Sequence, residues 1–228
     1  MQQYLSFNDS QGERFLIYPE EETPEALAAL REVMPLKTGW ALWEQMSAGG
    51  YATRKVVAFN TVQEFWAVWN GVPQPSELLE NKRFFSQQPN GQAAQPLDAI
   101  MIFREGISPE WEDPGNANGG HFQILIKPAA GPGQIDEYWN NIVLGMIGET
   151  MLPEGSNITG VRLVDKLTGK GKVTDCIRIE LWYHSKTTTQ EVNALKRSME
   201  KCLTLRIDGT QGPALKGDAV QDKKHSSK

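Results

Sequence analysis

Trp111 and Glu112 are the pair of residues in this chain best suited to chemistry on a ligand. They lie between Pro109 and Pro114, and residues 115–120 that follow are almost all Gly or Asn. That composition has neither the strand nor the helix period and marks a loop. An indole there offers a flat stacking face, and the carboxylate beside it can accept two hydrogen bonds in one plane. Together they suit a planar ligand with two adjacent donors, such as the N1–H and N2–H₂ edge of guanine. The competing role for a loop Trp is to fold back as an anchor on the edge of a core.

A second set of polar groups lies on the stretch Thr174 to His184. Strand alternation points Ile177, Ile179, Leu181 and Tyr183 one way and Cys176, Arg178, Glu180 and Trp182 the other. A face with a cation, an anion and an indole is an odd set for simple solvation. Lys166 precedes this strand, and Lys170 and Lys172 lie in a Lys- and Gly-rich hairpin between. Glu110 and Glu112 raise the alternative of a carboxylate pair for glycoside chemistry. Prolines bracket that pair, and no second acidic cluster accompanies it. No nucleophile elbow or phosphate-cradling Gly-Lys motif appears, so the expected catalytic set is none. Two Cys (176 and 202) and three scattered His (121, 184 and 225) predict no structural metal site, no disulfide framework and a reducing compartment. No cofactor is implied. The net charge of −5 argues against a general duplex-binding protein, while leaving room for a local basic pocket. The start of the chain lacks the basic-then-apolar order of a secretory signal, and no apolar run is long enough to span a membrane.

The rest of the chain must position these groups. Residues 1–22 read as a flexible arm. Thr23-Pro24 then opens a short helix that Pro35 stops. Trp40–Met46 and Thr53–Phe59 read as strands. Thr61 and Glu64 form a capping box for a helix striped by Val62, Phe65, Trp66 and Trp69. Residues 71–97 read as an insertion, either a flexible loop or a contact surface. Ala99–Phe103 and Phe122–Lys127 read as strands flanking the Trp111 loop. Pro132 starts a regular helix whose stripe is Ile135, Tyr138, Trp139, Ile142, Val143, Met146 and Ile147. Thr159–Lys166 and Thr174–His184 are strands. A helix follows Thr188, striped by Val192, Leu195, Met199 and Cys202. Leu203–Ile207 reads as a last strand and 209–228 as a flexible tail. Each long helix carries one apolar stripe, which fits an α+β fold with one antiparallel sheet and helices on a single face.

Several ordered motifs resemble the eukaryotic translation initiation factor 4E family. They are Pro35-Leu36-Lys37-Thr38-Gly39-Trp40, Phe59-Asn60-Thr61-Val62 with Phe65-Trp66, Pro109-Glu110-Trp111-Glu112-Asp113 with Gly119-Gly120, and Ile147-Gly148-Glu149. The likeness runs from about residue 35 to 207. It implies a single curved antiparallel β-sheet with three long helices packed on its convex face, within a cap-binding domain over residues 23–208. It also implies a cytoplasmic translation factor that binds the 7-methylguanosine triphosphate end of capped messenger RNA and recruits a scaffold. Trp111 would stack on the cationic base, Glu112 would read its edge, and Trp182 would pack against the N7 methyl group. Lys166, Arg178, Lys170 and Lys172 would meet the phosphates. The family's first stacking Trp is absent, leaving Tyr51 as the nearest candidate, and His121 stands where the family commonly has Arg. The convex helical face would hold an initiation factor 4G-like scaffold or a 4E-binding protein through Pro35, Leu36, Val62, Trp66, Asn140 and Val143. Asn140 and Asn141 depart from the family's usual Leu and Glu. The missing loop Trp keeps open a protein-interaction domain or translational repressor with weak or lost cap binding.

Overall fold

A computed structural model describes residues 32–225 apart from 49, 51, 81, 87–92, 152–156, 169–174, 207–208, 213, 216 and 218. The expected arm of residues 1–22 and the helix expected to open at Thr23 therefore lie mostly or wholly outside the described residues. The elements are β1 (Pro35–Met46), β2 (Thr53–Thr61), α1 (Val62–Trp69), β3 (Phe85–Ser86), β4 (Gln95–Arg104), β5 (Gly120–Ile126), α2 (Pro132–Ile147), β6 (Ile158–Asp165), β7 (Ile177–Tyr183), α3 (Thr189–Thr204) and β8 (Val220–Lys224). The strands form one curved antiparallel sheet in the order β2-β1-β4-β6-β7-β5-β8, with the short β3 added beside β4. Among the described residues no helix is long and apolar enough to cross a membrane.

Local chemistry explains the helix starts. Thr61 and Glu64 close a capping box on α1, and Thr188 and Glu191 close one on α3. Pro132 sits in the first turn of α2, where its missing N–H costs nothing. Alternation then sorts the strands. Ile100 and Ile102 of β4 and Ile177, Ile179 and Leu181 of β7 join Phe65, Trp69, Trp139, Ile142 and Leu195 in the main core. Each such buried side chain contributes roughly 1.5–3 kcal/mol. Ala99, Met101, Phe103, Val164 and Trp182 point the other way and form a second, smaller cluster with Trp43 and Ile107 against it. The helices thus cover one face, and the polar, indole-bearing face of β7 is left for a ligand.

Three segments differ from the expectation. The insertion at 71–97 is partly core: a 3₁₀ turn over Pro75–Glu80 buries Leu78, and Phe84 is buried beside it. Of the strand expected at Leu203–Ile207, Leu203 and Thr204 are the end of α3, where Leu203 continues the buried stripe, Leu205 makes an isolated antiparallel bridge to Gln211, and Ile207 lies outside the described residues. The final strand comes later. β8 lies in what reads as a flexible tail, and it pairs with β5 from Gly120↔Lys224 to Ile124↔Val220. Only Val220 of its five residues is buried, so the ladder rather than hydrophobicity holds it. Charged, exposed side chains are the usual company of an edge strand.

Candidate functional site: an aromatic slot on the open face of the sheet

The Trp111 loop joins β4 to β5, and two side chains pin it. The Asp113 carboxylate accepts from the backbone N–H groups of Ser108 and Gly115, both at 2.8 Å. Asn116, fully buried, donates to the carbonyls of Ser108 at 2.8 Å and Glu110 at 2.9 Å. The chain re-enters the sheet through Gly119 and Gly120. A Cβ on Gly119 would come within 2.2 Å of the Tyr183 carbonyl, and one on Gly120 within 2.3 Å of the Tyr183 hydroxyl. Only glycine fits so close an approach. Held this way, Trp111 stays 48% exposed, and Glu112 is exposed beside it. That exposure is the argument against the core-anchor role for Trp111.

Trp182 forms the floor. It is buried, edge-on to Phe103 with ring centroids 5.3 Å apart and an 80° interplanar angle. Gly160 makes room for that Phe103 ring, since a Cβ there would lie 2.5 Å from it. The indole N–H of Trp182 donates to Glu180 at 3.0 Å, which fixes the ring orientation. Glu180 in turn lies 3.3 Å from Arg162 and 2.7 Å from Arg178. The Arg178 Nε–H does not point along that contact, so the link is an ion pair rather than an aligned hydrogen bond. Burial alone would raise the Glu180 carboxyl; Arg162 and Arg178, helped by His121 and Trp182, outweigh it and hold the group low. Two guanidinium groups around one carboxylate leave a net positive charge under the slot. Arg178, with 25% of its side chain exposed, is the part of that charge nearest solvent.

The remaining occupants are two histidines: His121, which stands where the family commonly has Arg, and His225, which does not stand out in the sequence. Strand alternation puts His121 of β5 and His225, just beyond β8, on the Trp182 face. The His225 ring stacks on Trp111 at 5.3 Å and 16°, and its centroid is 4.4 Å from that of Trp182. His121 stacks on Trp182 at 5.8 Å and 22°. His225 Nδ1 lies 3.0 Å from the Asn116 carbonyl, and its Nε2 lies 3.0 Å from His121 Nδ1. A carbonyl can only accept, so His225 carries its proton on Nδ1 and accepts at Nε2 from His121 Nδ1–H. Burial pushes both imidazoles down, His121 to about 4, despite the opposing pull of Glu180 on each. Both shifts favour the neutral ring.

The structure thus brings together Trp111, Trp182 and Arg178, with Glu112 next to Trp111 in the chain. Lys166 follows β6 directly, beside the Val164↔Arg178 pairing. Tyr51, Lys170 and Lys172 lie outside the described residues. Sequence reading missed the support given by Asp113 and Asn116 and the intrusion of His225. The repeated Asx residues in the loop were the available signal for the first two.

On the helical face, Val33, Met34 and Pro35 are exposed, and Leu36, Val62 and Trp66 are half-buried. Backbone bonds join this segment to α1: Val62 N–H donates to the Met34 carbonyl at 2.8 Å. Two expected partner residues do not belong to that surface. Val143 is fully buried in the core. Asn140 is also buried; it accepts from the Trp69 indole N–H at 3.0 Å and donates to Gln74 at 2.7 Å. Val143 lies on the apolar stripe of α2, and Asn140 is covered by Trp69 of α1 and Gln74; the 3₁₀ turn at Pro75–Glu80 packs beside them on the start of α2, tied to it by Ser76–Asp136 bonds of 2.7 and 2.8 Å. It extends the buried stripe of α2 to a second flank. Asn141, the other departure, donates to the carbonyls of Cys202 and Leu205 and joins α2 to the end of α3.

A single sheet with helices on one face and an indole-lined slot on the other defines a ligand-binding module of the α+β class. The family model for eukaryotic initiation factor 4E matches residues 35–228, and the chain belongs to that family. Eukaryotic translation initiation factor 4E of Saccharomyces cerevisiae is 35% identical over 136 residues, covering 57% of this chain and 55% of that protein. Factor 4E-1 of Caenorhabditis elegans is 31% identical over 154 residues, covering 66% and 62%. The match therefore spans only a little over half the length of these curated relatives. Among solved structures, a complex of C. elegans eIF4E-3 with the 4E-binding protein Mextli and a cap analog superposes with a TM-score of 0.59 at 21% identity, covering 76% of this chain and 87% of that one. Ascaris suum eIF4E-3 with an m7G cap gives 0.60 at 20%, covering 83% and 98%. At these identities the likeness speaks for the fold.

Proposed function

We propose that this protein binds the 7-methylguanosine cap of messenger RNA without catalysis and recruits an initiation factor 4G-like scaffold or 4E-binding protein through its helical face. The observation that carries the reading is the exposed indole of Trp111, with Glu112 next to it in the chain, on the other side of the His225 ring from Trp182, in a chain of the initiation factor 4E family. A 7-methylguanine ring is cationic, and an indole face attracts a cation as well as stacking on a base. Glu112 would accept from N1–H and N2–H₂, and its charge favours the methylated base. Arg178, Lys166, Lys170 and Lys172 would meet the phosphates. Relatives of this fold solved with a cap analog, an m7G cap and the 4E-binding protein Mextli support the reading that a cap and a 4E-binding protein are the ligands. The alternative, an interaction domain or repressor with weak cap binding, draws on one observation: His225 already fills space between Trp111 and Trp182.

Titration of m7GTP and GTP against tryptophan fluorescence tests the proposal. The methylated nucleotide should bind tighter, and Trp111→Ala should lose roughly 1–3 kcal/mol of that affinity. Equal binding of both nucleotides, or an unchanged Trp111→Ala, removes the slot from cap recognition.

A further inference from the structure

His225 stacks on Trp111 as a base would, while its ring is tilted by 56° against Trp182. Its ring lies parallel to Trp111 and within 4.4 Å of Trp182, and it is 3% exposed. Both of its ring nitrogens are satisfied, one by the Asn116 carbonyl of the Trp111 loop and the other by His121. Its own backbone N–H continues the β8 ladder, donating to the Gly119 carbonyl at 3.0 Å. A planar ring with an in-plane donor is thus already bound between the two indoles, tethered to the last strand of the sheet. We propose that β8 with His225 is an intramolecular latch: the imidazole stands in for the base, and a stacking nucleotide enters by displacing it. The proposal rests on the cap-binding reading of the slot.

The strand that carries His225 is built to leave at low cost. β8 is five residues long, sits at the sheet edge, and buries only Val220. Gln221, Asp222, Lys223 and Lys224 are exposed. Its side-chain moorings are few. The Tyr183 hydroxyl donates to Asp222 at 2.5 Å, Lys224 donates to that hydroxyl at 2.6 Å, and Gln123 bonds Gln221 at 3.1 Å. Elements with one buried apolar residue and an exposed ladder belong to the low-stability end of a fold and open locally. Trp111 contributes little to the core, so its inner face is freed without unfolding the loop.

The test uses three full-length chains: wild type, His225→Ala, and Asp222→Ala. The last loosens the strand without touching the slot. Affinity for a ligand is divided by the fraction of the binding-competent state. For a latch closed about nine-tenths of the time, His225→Ala should bind m7GTP about tenfold tighter, and Asp222→Ala should shift affinity in the same direction. Equal or weaker binding by His225→Ala overturns the latch and makes His225 a wall of the slot. Should none of the chains bind m7GTP, the cap-binding reading fails, and the latch is judged without ligand. Asp222→Ala must then make tryptophan emission more accessible to acrylamide than in wild type, and equal quenching overturns it.

Discussion

Glu180→Gln removes one charge and almost no volume, and the structure sets what that should cost. The carboxylate is 2% exposed and faces Arg162, with 12% of its side chain exposed, and Arg178, with 25%. Removing one partner of a buried ion pair costs about 3–5 kcal/mol because it strands the opposite charge. Here both guanidinium groups keep some water, and Arg162 keeps a bond to Gln45. A Gln carbonyl can still accept from the Trp182 indole N–H. These offsets lower the expected loss to about 2–4 kcal/mol. For a chain of this size each kcal/mol moves the thermal midpoint by about 2–4 °C, so a fall of roughly 5–15 °C is expected.

The same group makes stability depend on pH. Arg162 and Arg178 hold the Glu180 carboxyl below its ordinary value against the effect of burial. Its stabilisation is therefore present above the unfolded value, about 4.3, and is lost as pH falls through the folded one. Urea unfolding of wild type and Glu180→Gln at pH 7 and on acidification should show a gap that narrows below about pH 4. A gap under about 1 kcal/mol at pH 7, or one independent of pH, refutes the view that this carboxylate holds the slot floor together.

Glu112→Gln should cut affinity for m7GTP more than for GTP, since Gln presents a donor where the base also donates and lacks the charge; equal losses would leave Glu112 a loop residue. Trp66→Ala should abolish binding of a 4E-binding helical peptide while changing m7GTP affinity less than about twofold, because the two surfaces lie on opposite faces of the sheet; a retained pull-down refutes the partner face. His121, held at about 4 by burial against its ordinary 6.5, predicts stability lost as pH falls from 6.5 toward 4, by up to about 3 kcal/mol. The groups that oppose or aid this are Glu180, Arg162 and Arg178 beneath His121, and Asp222 and Lys224 beside its partner His225. His121→Gln should flatten that acid limb in urea titrations, and an unchanged limb would place the titration elsewhere.

The alternation of Thr174–His184 is visible in the residues because a half-buried strand must separate its apolar and polar sets. The caps of α1 and α3 are visible because a Thr three residues before a Glu satisfies orphan N–H groups by itself. β8 is not visible for the same physical reason. Val-Gln-Asp-Lys-Lys carries one buried residue, and its strand conformation comes from pairing with β5, a contact about a hundred residues distant. Leu203 misleads because an apolar residue at the end of a helical stripe and one at the start of a strand look alike over so short a span. Asn140 and Val143 mislead differently. Val143 already belongs to the apolar stripe and stays in the core, while Asn140 on the flank is covered by Trp69 of α1 and by Gln74, with Ser76 of the 3₁₀ turn tied to Asp136 nearby. Trp111 and Trp182, marked out by the loop and by strand alternation, both lie against His225, which is not legible in the residues because an isolated His in a polar tail has no period.

Two adjacent residues of β7 connect these observations. Trp182 points to the open face and makes the slot floor, and Tyr183 points to the helix face and moors β8 through Asp222 and Lys224. Strand geometry forces that division, because neighbours in a strand cannot share a face. It also decides what β8 can do. With Asp222 and Lys224 committed to Tyr183, the alternate positions of the strand, Gln221, Lys223 and His225, must face the slot side. His225 directly follows Lys224, and that one-residue step brings its imidazole to the face of Trp182. A single-residue insertion after Lys224 would move the imidazole off that face while leaving the Tyr183 mooring intact.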